Sequence, residues 1–83
     1  MLNKLEAMIN EESNIVVFLK EEEALYLTNC DNILATVTYN EEEQVYEIDV
    51  EECDSWSEEY FPVESKYYKT AGRAFNYLKK MLP

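Results

Sequence analysis

Between residues 41 and 61 the sequence reads EEEQVYEIDVEECDSWSEEYF, ten carboxylates with no Lys, Arg or His among them. Carboxylates at this density can do three kinds of chemistry. They can work in acid–base pairs, ligate a hard cation, or capture a basic partner electrostatically. Acid–base work needs a cleft that pushes two pKa values apart, and an 83-residue chain offers little room for one. The chain has no His, so the usual Ser-His and Cys-His nucleophile pairs are absent. Gly72 is the only glycine, which rules out a glycine-rich phosphate loop. The sequence therefore predicts a non-enzymatic protein with no cofactor.

Cation ligation is tested by spacing. The window DVEECDSWSEEY, residues 49–60, offers oxygen ligands at alternate positions. Its sixth residue is Asp54 where a calcium loop of the EF-hand type needs Gly, and its twelfth is Tyr60 where that loop needs Glu. Cys30 and Cys53, without His or further Cys, are too few for a structural zinc site. No dedicated metal site is expected.

Electrostatic capture fits the pattern better. In QVYEIDV, Tyr46, Ile48 and Val50 alternate with Glu47, Asp49 and Glu51, so a strand here buries the first set and projects the second. The three acids then stand at intervals of roughly 6.5–7 Å, twice the rise per residue. That step is comparable with the ~7 Å between successive phosphates along one DNA strand, which projects to about 3.4 Å of axis. Glu41, Glu42 and Glu43 extend the line at one end, and Glu52, Asp54, Glu58 and Glu59 at the other. Exposed ion pairs contribute only about 0–1 kcal/mol each, so apolar anchors are needed as well. Trp56 and Tyr60 are the candidates. The competing reading is that Trp56 and Phe61 fold back to close the core beneath the loop.

The elements that must hold these residues can be read from periodicity. Leu2, Leu5, Met8 and Ile9 have helical spacing, with Asn3 and Glu6 in the relation of an N-cap and its third residue, and the helix ends near Ser13 and Asn14. NIVVFLK, apolar on both faces, reads as a covered strand. ALYLT is a second strand, and Asn29 to Asn32 form a turn by composition. ILATVTY alternates with Ile33, Ala35, Val37 and Tyr39 on one face. Asn40 to Glu43 make a hairpin loop before the acidic strand returns. Residues 51–65 are less regular, Pro62 argues against a central strand there, and ESKYYKT adds a short edge segment. Thr70 is placed to cap a final helix whose apolar stripe is Ala71, Ala74, Phe75, Leu78 and Met81 or Leu82. The expected fold is α+β: an antiparallel four- to five-stranded sheet, in the order α-β-β-β-β-(β)-α, with two helices packed on one face. The whole chain, residues 1–83, is read as one domain.

Composition bounds the function. The chain is 47% apolar and 13% aromatic, which argues against disorder despite a net charge of −11. The charge is segregated. Residues 21–65 hold fifteen acids and no base, whereas Lys66, Lys69, Arg73, Lys79 and Lys80 follow with no acid among them. Nucleic-acid binding is disfavoured, because phosphate contacts need clustered positive charge. The C-terminal bases are expected to complement the helix dipole and pair with the acidic block. No export signal or membrane span is legible, so a cytoplasmic protein with reduced thiols is expected.

In its size, its −11 charge and the acidic strand-and-loop EEEQVYEIDVEECDSWSEEY, the chain resembles phage-encoded small acidic anti-defence inhibitors. Anti-CRISPR proteins and inhibitors of uracil-DNA glycosylase are the two groups it looks like. The resemblance lies in composition and layout and carries no residue-by-residue correspondence. It implies a DNA mimic acting in the host cytoplasm, binding a basic nucleic-acid-processing protein. A Cas effector leads, with a DNA glycosylase or restriction enzyme following the same logic. The inhibitor itself is expected as a monomer or homodimer. The alternative is a small acidic interaction or regulatory domain whose charge serves solubility.

Overall fold

A computed structural model describes residues 1–29, 32–54, 56–57 and 59–82. The elements run α1 (Leu2–Glu12), β1 (Val16–Glu21), β2 (Ala24–Thr28), β3 (Ile33–Asn40), β4 (Val45–Cys53), β5 (Tyr60–Tyr68) and α2 (Ala71–Met81). The strands form one antiparallel sheet in the order β1-β2-β3-β4-β5, each hydrogen-bonded to the next in sequence. The α+β class and the element order follow the expectation from sequence.

Alternation decides which face is buried. Leu25 and Leu27, Ala35 and Val37, and Tyr46, Ile48 and Val50 are all buried, and the pairing of β2 to β3 to β4 puts them on one face. The two helices pack on that face against each other and against the sheet. Leu5 and Ile9 of α1 and Ala74, Phe75 and Leu78 of α2 complete the core. α2 begins as expected, with the Thr70 hydroxyl accepting from the Arg73 N–H at 3.2 Å. Its buried stripe also includes Tyr77.

Three details depart from the expectation. Asn3 does not cap α1. The helix starts two residues earlier than an Asn3 cap requires, at Leu2, after Met1 and without a side-chain cap, because Leu2 itself packs against the core. β1 is not covered on both faces: it is an edge strand, and Val16, Phe18 and Leu19 are exposed. β5 is a nine-residue strand that extends back through Pro62 to Tyr60. Pro62 is tolerated because β5 lies at the sheet edge, at a bulge where Val50 pairs with Glu64 and Glu51 with Pro62, leaving Val63 as the extra residue.

Candidate protein-binding site on the open sheet face

Both helices cover one face of the sheet, so the other is left open, and cross-strand pairing fixes what it displays. One row runs Glu21, Ala24, Thr38, Glu47, Tyr67. The next runs Leu19, Tyr26, Thr36, Asp49, Ser65. A third runs Val16, Thr28, Leu34, Glu51, Pro62. Read down the strands instead, β4 carries the acids Glu47, Asp49 and Glu51, β3 presents Thr38, Thr36 and Leu34, and the β1 edge shows apolar Val16 and Leu19 together with Glu21. Phe18 of β1 lies beside Tyr26 of β2, the two rings 6.3 Å apart.

Local hydrogen bonds hold two of the three acids. Ser65 Oγ donates to Asp49 Oδ1 at 2.6 Å, and Asn40 Nδ2 donates to Glu47 Oε1 at 3.3 Å. The same Asn40 side chain accepts from the Glu43 N–H at 3.0 Å, tying the hairpin turn to the acid column. The ion pairs among the described residues are Lys20–Glu6 at 2.8 Å and Lys66–Glu64 at 3.3 Å. Glu47, Asp49 and Glu51 are thus met by no cation. The expected pairing of C-terminal bases with the acidic block is confined, among the described residues, to Lys66 with Glu64.

The remaining acids named from sequence do not all join this column. Glu41, Glu42 and Glu43 lie in the exposed turn, where Glu41 and Glu42 line an open recess of about 510 Å3 together with Glu22, Glu23 and the start of α1. Glu52 falls on the opposite parity to Glu51 and lines a second recess of about 500 Å3 with Phe61, Pro62 and Val63. A strand sends successive side chains to opposite faces, so Glu52 cannot extend the column. Asp54 serves its own loop: Oδ1 accepts from the Trp56 N–H at 3.0 Å and Oδ2 from Ser57 Oγ at 3.3 Å. The Asp54 N–H in turn donates to the Glu59 carbonyl at 2.8 Å, which closes the loop. Glu59 is exposed beside it. Glu58 and Cys30 lie outside the described residues.

Of the aromatics, Trp56 is 95% exposed and Tyr60 and Phe61 about half so. The loop aromatics do not fold back to close the core. Sequence reasoning missed Tyr67, 64% exposed beside Glu47. It also misses Phe18 and Leu19, because a strand apolar on both faces reads as covered. The adjacent Tyr67 and Tyr68 were the available signal, since strand alternation buries one and exposes the other.

Two tyrosines of the covered side hold the platform. Tyr46 Oη donates to the Met1 carbonyl at 3.0 Å, and its pKa is raised by burial and then by neighbouring Tyr39. Tyr77 Oη is buried without a hydrogen-bond partner. Burial first, then the charge of the nearby Glu64 carboxylate, Tyr68 and a marginal Glu64 side-chain contact that falls outside hydrogen-bond geometry, push its pKa up to about 12.

Among the described residues no group of three or more His, Cys, Asp or Glu is arranged to hold a metal ion, and no helix is long and apolar enough to cross a membrane. What the open face can do is attract positive charge and bury apolar surface beside it. Comparison with protein-family models, curated proteins and solved structures finds no match.

Proposed function

We propose that this protein is a non-enzymatic inhibitor that presents its open sheet face to the DNA-binding surface of a basic nucleic-acid-processing protein, a Cas effector being the favoured instance. One observation carries the reading: Glu47, Asp49 and Glu51 stand in line on a helix-free face, with no ion pair to any cation among the described residues and with exposed Tyr67 beside them. Such a column competes for the Arg and Lys side chains that otherwise grip phosphates. It also speeds encounter by long-range attraction. Affinity comes from the apolar flanks, because exposed ion pairs alone are weak.

On this reading the phosphate-mimicking set is smaller than the acidic stretch as a whole. Glu47, Asp49 and Glu51 form its centre, and the Glu41–Glu43 turn supports one end. Asp54 is left to loop shaping and Glu52 to the opposite side. Tyr67 and Phe18 join Tyr60 and Trp56 as apolar contacts.

The test is displacement of a labelled DNA duplex from a Cas effector, with a uracil-DNA glycosylase and a restriction endonuclease as further targets. Competition with DNA is expected, weakening steeply between 0.05 and 0.5 M salt (on the order of the range over which the Debye length falls from above 10 Å to under 5 Å). The triple substitution Glu47→Lys, Asp49→Lys, Glu51→Lys should abolish displacement with an unchanged far-UV circular dichroism spectrum. Full displacement by a folded triple variant would falsify the phosphate-mimic role of this face.

A further inference from the structure

β5 ends the sheet, and no strand among the described residues lies on its outer side. The outward N–H and C=O groups of such an edge are open to another strand. β5 is nine residues long, and only Glu64 and Tyr68 in it are even half-buried, while Tyr60, Phe61, Val63 and Tyr67 are exposed. The opposite edge is better defended. β1 has six residues, a bulge between Val17 and Leu19, and the acids Glu21, Glu22 and Glu23 at its end. On β5, Pro62 and the bulge at Val63 close only the first half of the strand.

The open half is complementary to itself. Residues 63–67 read VESKY, with the acid and the base placed symmetrically about Ser65. Two copies aligned antiparallel about Ser65 set Glu64 opposite Lys66 twice and Val63 opposite Tyr67 twice. Opposite charges and aromatic with β-branched side chains are the cross-strand pairs that stabilise a sheet. Glu64 and Lys66 already lie 3.3 Å apart within the chain, so two such pairs join into a square of alternating charge. A slip of two residues, the smallest that keeps each side chain on its face, sets Lys66 against Lys66 or Glu64 against Glu64. A lysine on an edge discourages pairing in general, and a second copy supplies the acid that answers it.

We propose that β5 is a homodimerisation edge, on which a second copy of this chain pairs its own β5 antiparallel about a two-fold axis at Ser65. Paired residues of an antiparallel ladder face the same side. The two sheets therefore join into one, with all four helices on one side and both open faces on the other. The proposal does not depend on what the open face binds. The net charge of −11 does not forbid it, because Lys66, Lys69 and Arg73 lie in or just beyond β5. At about 0.15 M salt the Debye length is about 8 Å, so the distant acids of two copies are largely screened from each other. The ladder spans about 17 Å, five residues at about 3.4 Å each, so the dimer is a weak and reversible one.

The experiment is sedimentation equilibrium of the full chain at about 0.15 M salt, from about 5 to about 500 µM, a span that brackets a weak interface. The wild type is expected to pass reversibly from monomer to dimer. Glu64→Lys and Lys66→Glu each set like charges face to face twice, and each should weaken the dimer at least about ten-fold. Mixed in equal amounts, these two variants are complementary at every charged pair and should associate again. The double exchange Glu64→Lys with Lys66→Glu should dimerise by itself. Tyr67→Ser, at a side chain 64% exposed, should weaken the dimer several-fold and keeps the test decisive if far-UV circular dichroism shows a charge variant to be unfolded. A wild type that stays monomeric throughout overturns the proposal, as do folded single variants that dimerise like the wild type or fail to associate when mixed. Growth beyond the dimer, which head-to-tail pairing of β5 with β1 would give, overturns it as well.

Discussion

Removing one hydroxyl from each of two buried tyrosines should move stability in opposite directions. Tyr46 and Tyr77 are 3% and 7% exposed, and both rings pack against other tyrosines, Tyr39 at 4.9 Å and Tyr68 at 5.4 Å. The substitution to Phe keeps the ring and deletes only the oxygen. In Tyr46→Phe the hydrogen bond to the Met1 carbonyl is lost, at a cost of about 1 kcal/mol or less because that terminal carbonyl can be rehydrated. In Tyr77→Phe the deleted oxygen had no partner in hydrogen-bond geometry, Glu64 being a marginal contact only. Its burial had cost about 1–3 kcal/mol, so the variant gains about 1 kcal/mol at neutral pH. In a domain of this size each kcal/mol moves Tm by about 4–8 °C.

pH amplifies the second effect. The Tyr77 phenol titrates near 10 when unfolded and at about 12 when folded. The folded state therefore holds its proton more tightly, and this contribution is fully present below pH 10 and lost as pH rises through 12. By pH 12 the wild type has given up about 2 kcal/mol through this group. Tyr77→Phe, which has nothing there to titrate, keeps that amount. Urea denaturation of both proteins at pH 7, 10 and 12 measures the difference directly, and it should widen only above pH 10. A lower Tm for Tyr77→Phe at pH 7 would show that the hydroxyl is hydrogen-bonded in solution, with the Glu64 carboxylate as acceptor, and would refute the reasoning. A gap that does not change with pH would refute the titration.

Gln44 closes the β3–β4 turn with φ of 57°, a region that costs a residue with a Cβ about 1 kcal/mol. Gln44→Gly should therefore raise Tm by a few degrees, whereas Glu42→Gly in the same turn should not. Trp56→Ala should leave the denaturation midpoint within about 0.5 kcal/mol of wild type, because the side chain is 95% exposed. Leu78→Ala, fully buried in α2, should cost about 2–5 kcal/mol. A marked loss on Trp56→Ala would mean that the indole packs onto the fold after all.

Much of the framework was legible because strand alternation is a strong local signal. Tyr46, Ile48 and Val50 against Glu47, Asp49 and Glu51 fixed both faces of β4. Thr70 announced the start of α2 through its hydroxyl. Lateral position was not legible. Nothing within VVFLKE distinguishes a strand flanked on both sides from one at the edge, and nothing within YFPVESKYY shows that a bulge lets Pro62 enter the sheet. Site membership failed for a related reason. Nearness in sequence suggested that Glu52 and Asp54 continue the acid line, yet parity turns Glu52 away and the loop engages Asp54 through both of its oxygens.

The misreading of β1 bears on function. An apolar pattern on both faces of a strand means that both faces are suited to being covered. Here the helices cover one face and leave Val16, Phe18 and Leu19 exposed on the other. The acids of β4 pose the matching electrostatic problem, since like charges in a column repel and no cation among the described residues pairs with them. Meanwhile the C-terminal bases sit away from that face: Lys66 pairs with Glu64, and Lys79 lies 4.7 Å from the centre of the Phe75 ring on α2. The molecule is therefore polarised, with uncompensated negative charge on the open face and positive charge concentrated toward β5 and α2. On the proposed reading a basic partner would be drawn to the first, and the field would orient the encounter before any apolar contact forms. On that reading, orientation by charge and retention by exposed apolar side chains such as Phe18 are separable. Salt should change the association rate most, and Phe18→Ser the dissociation rate.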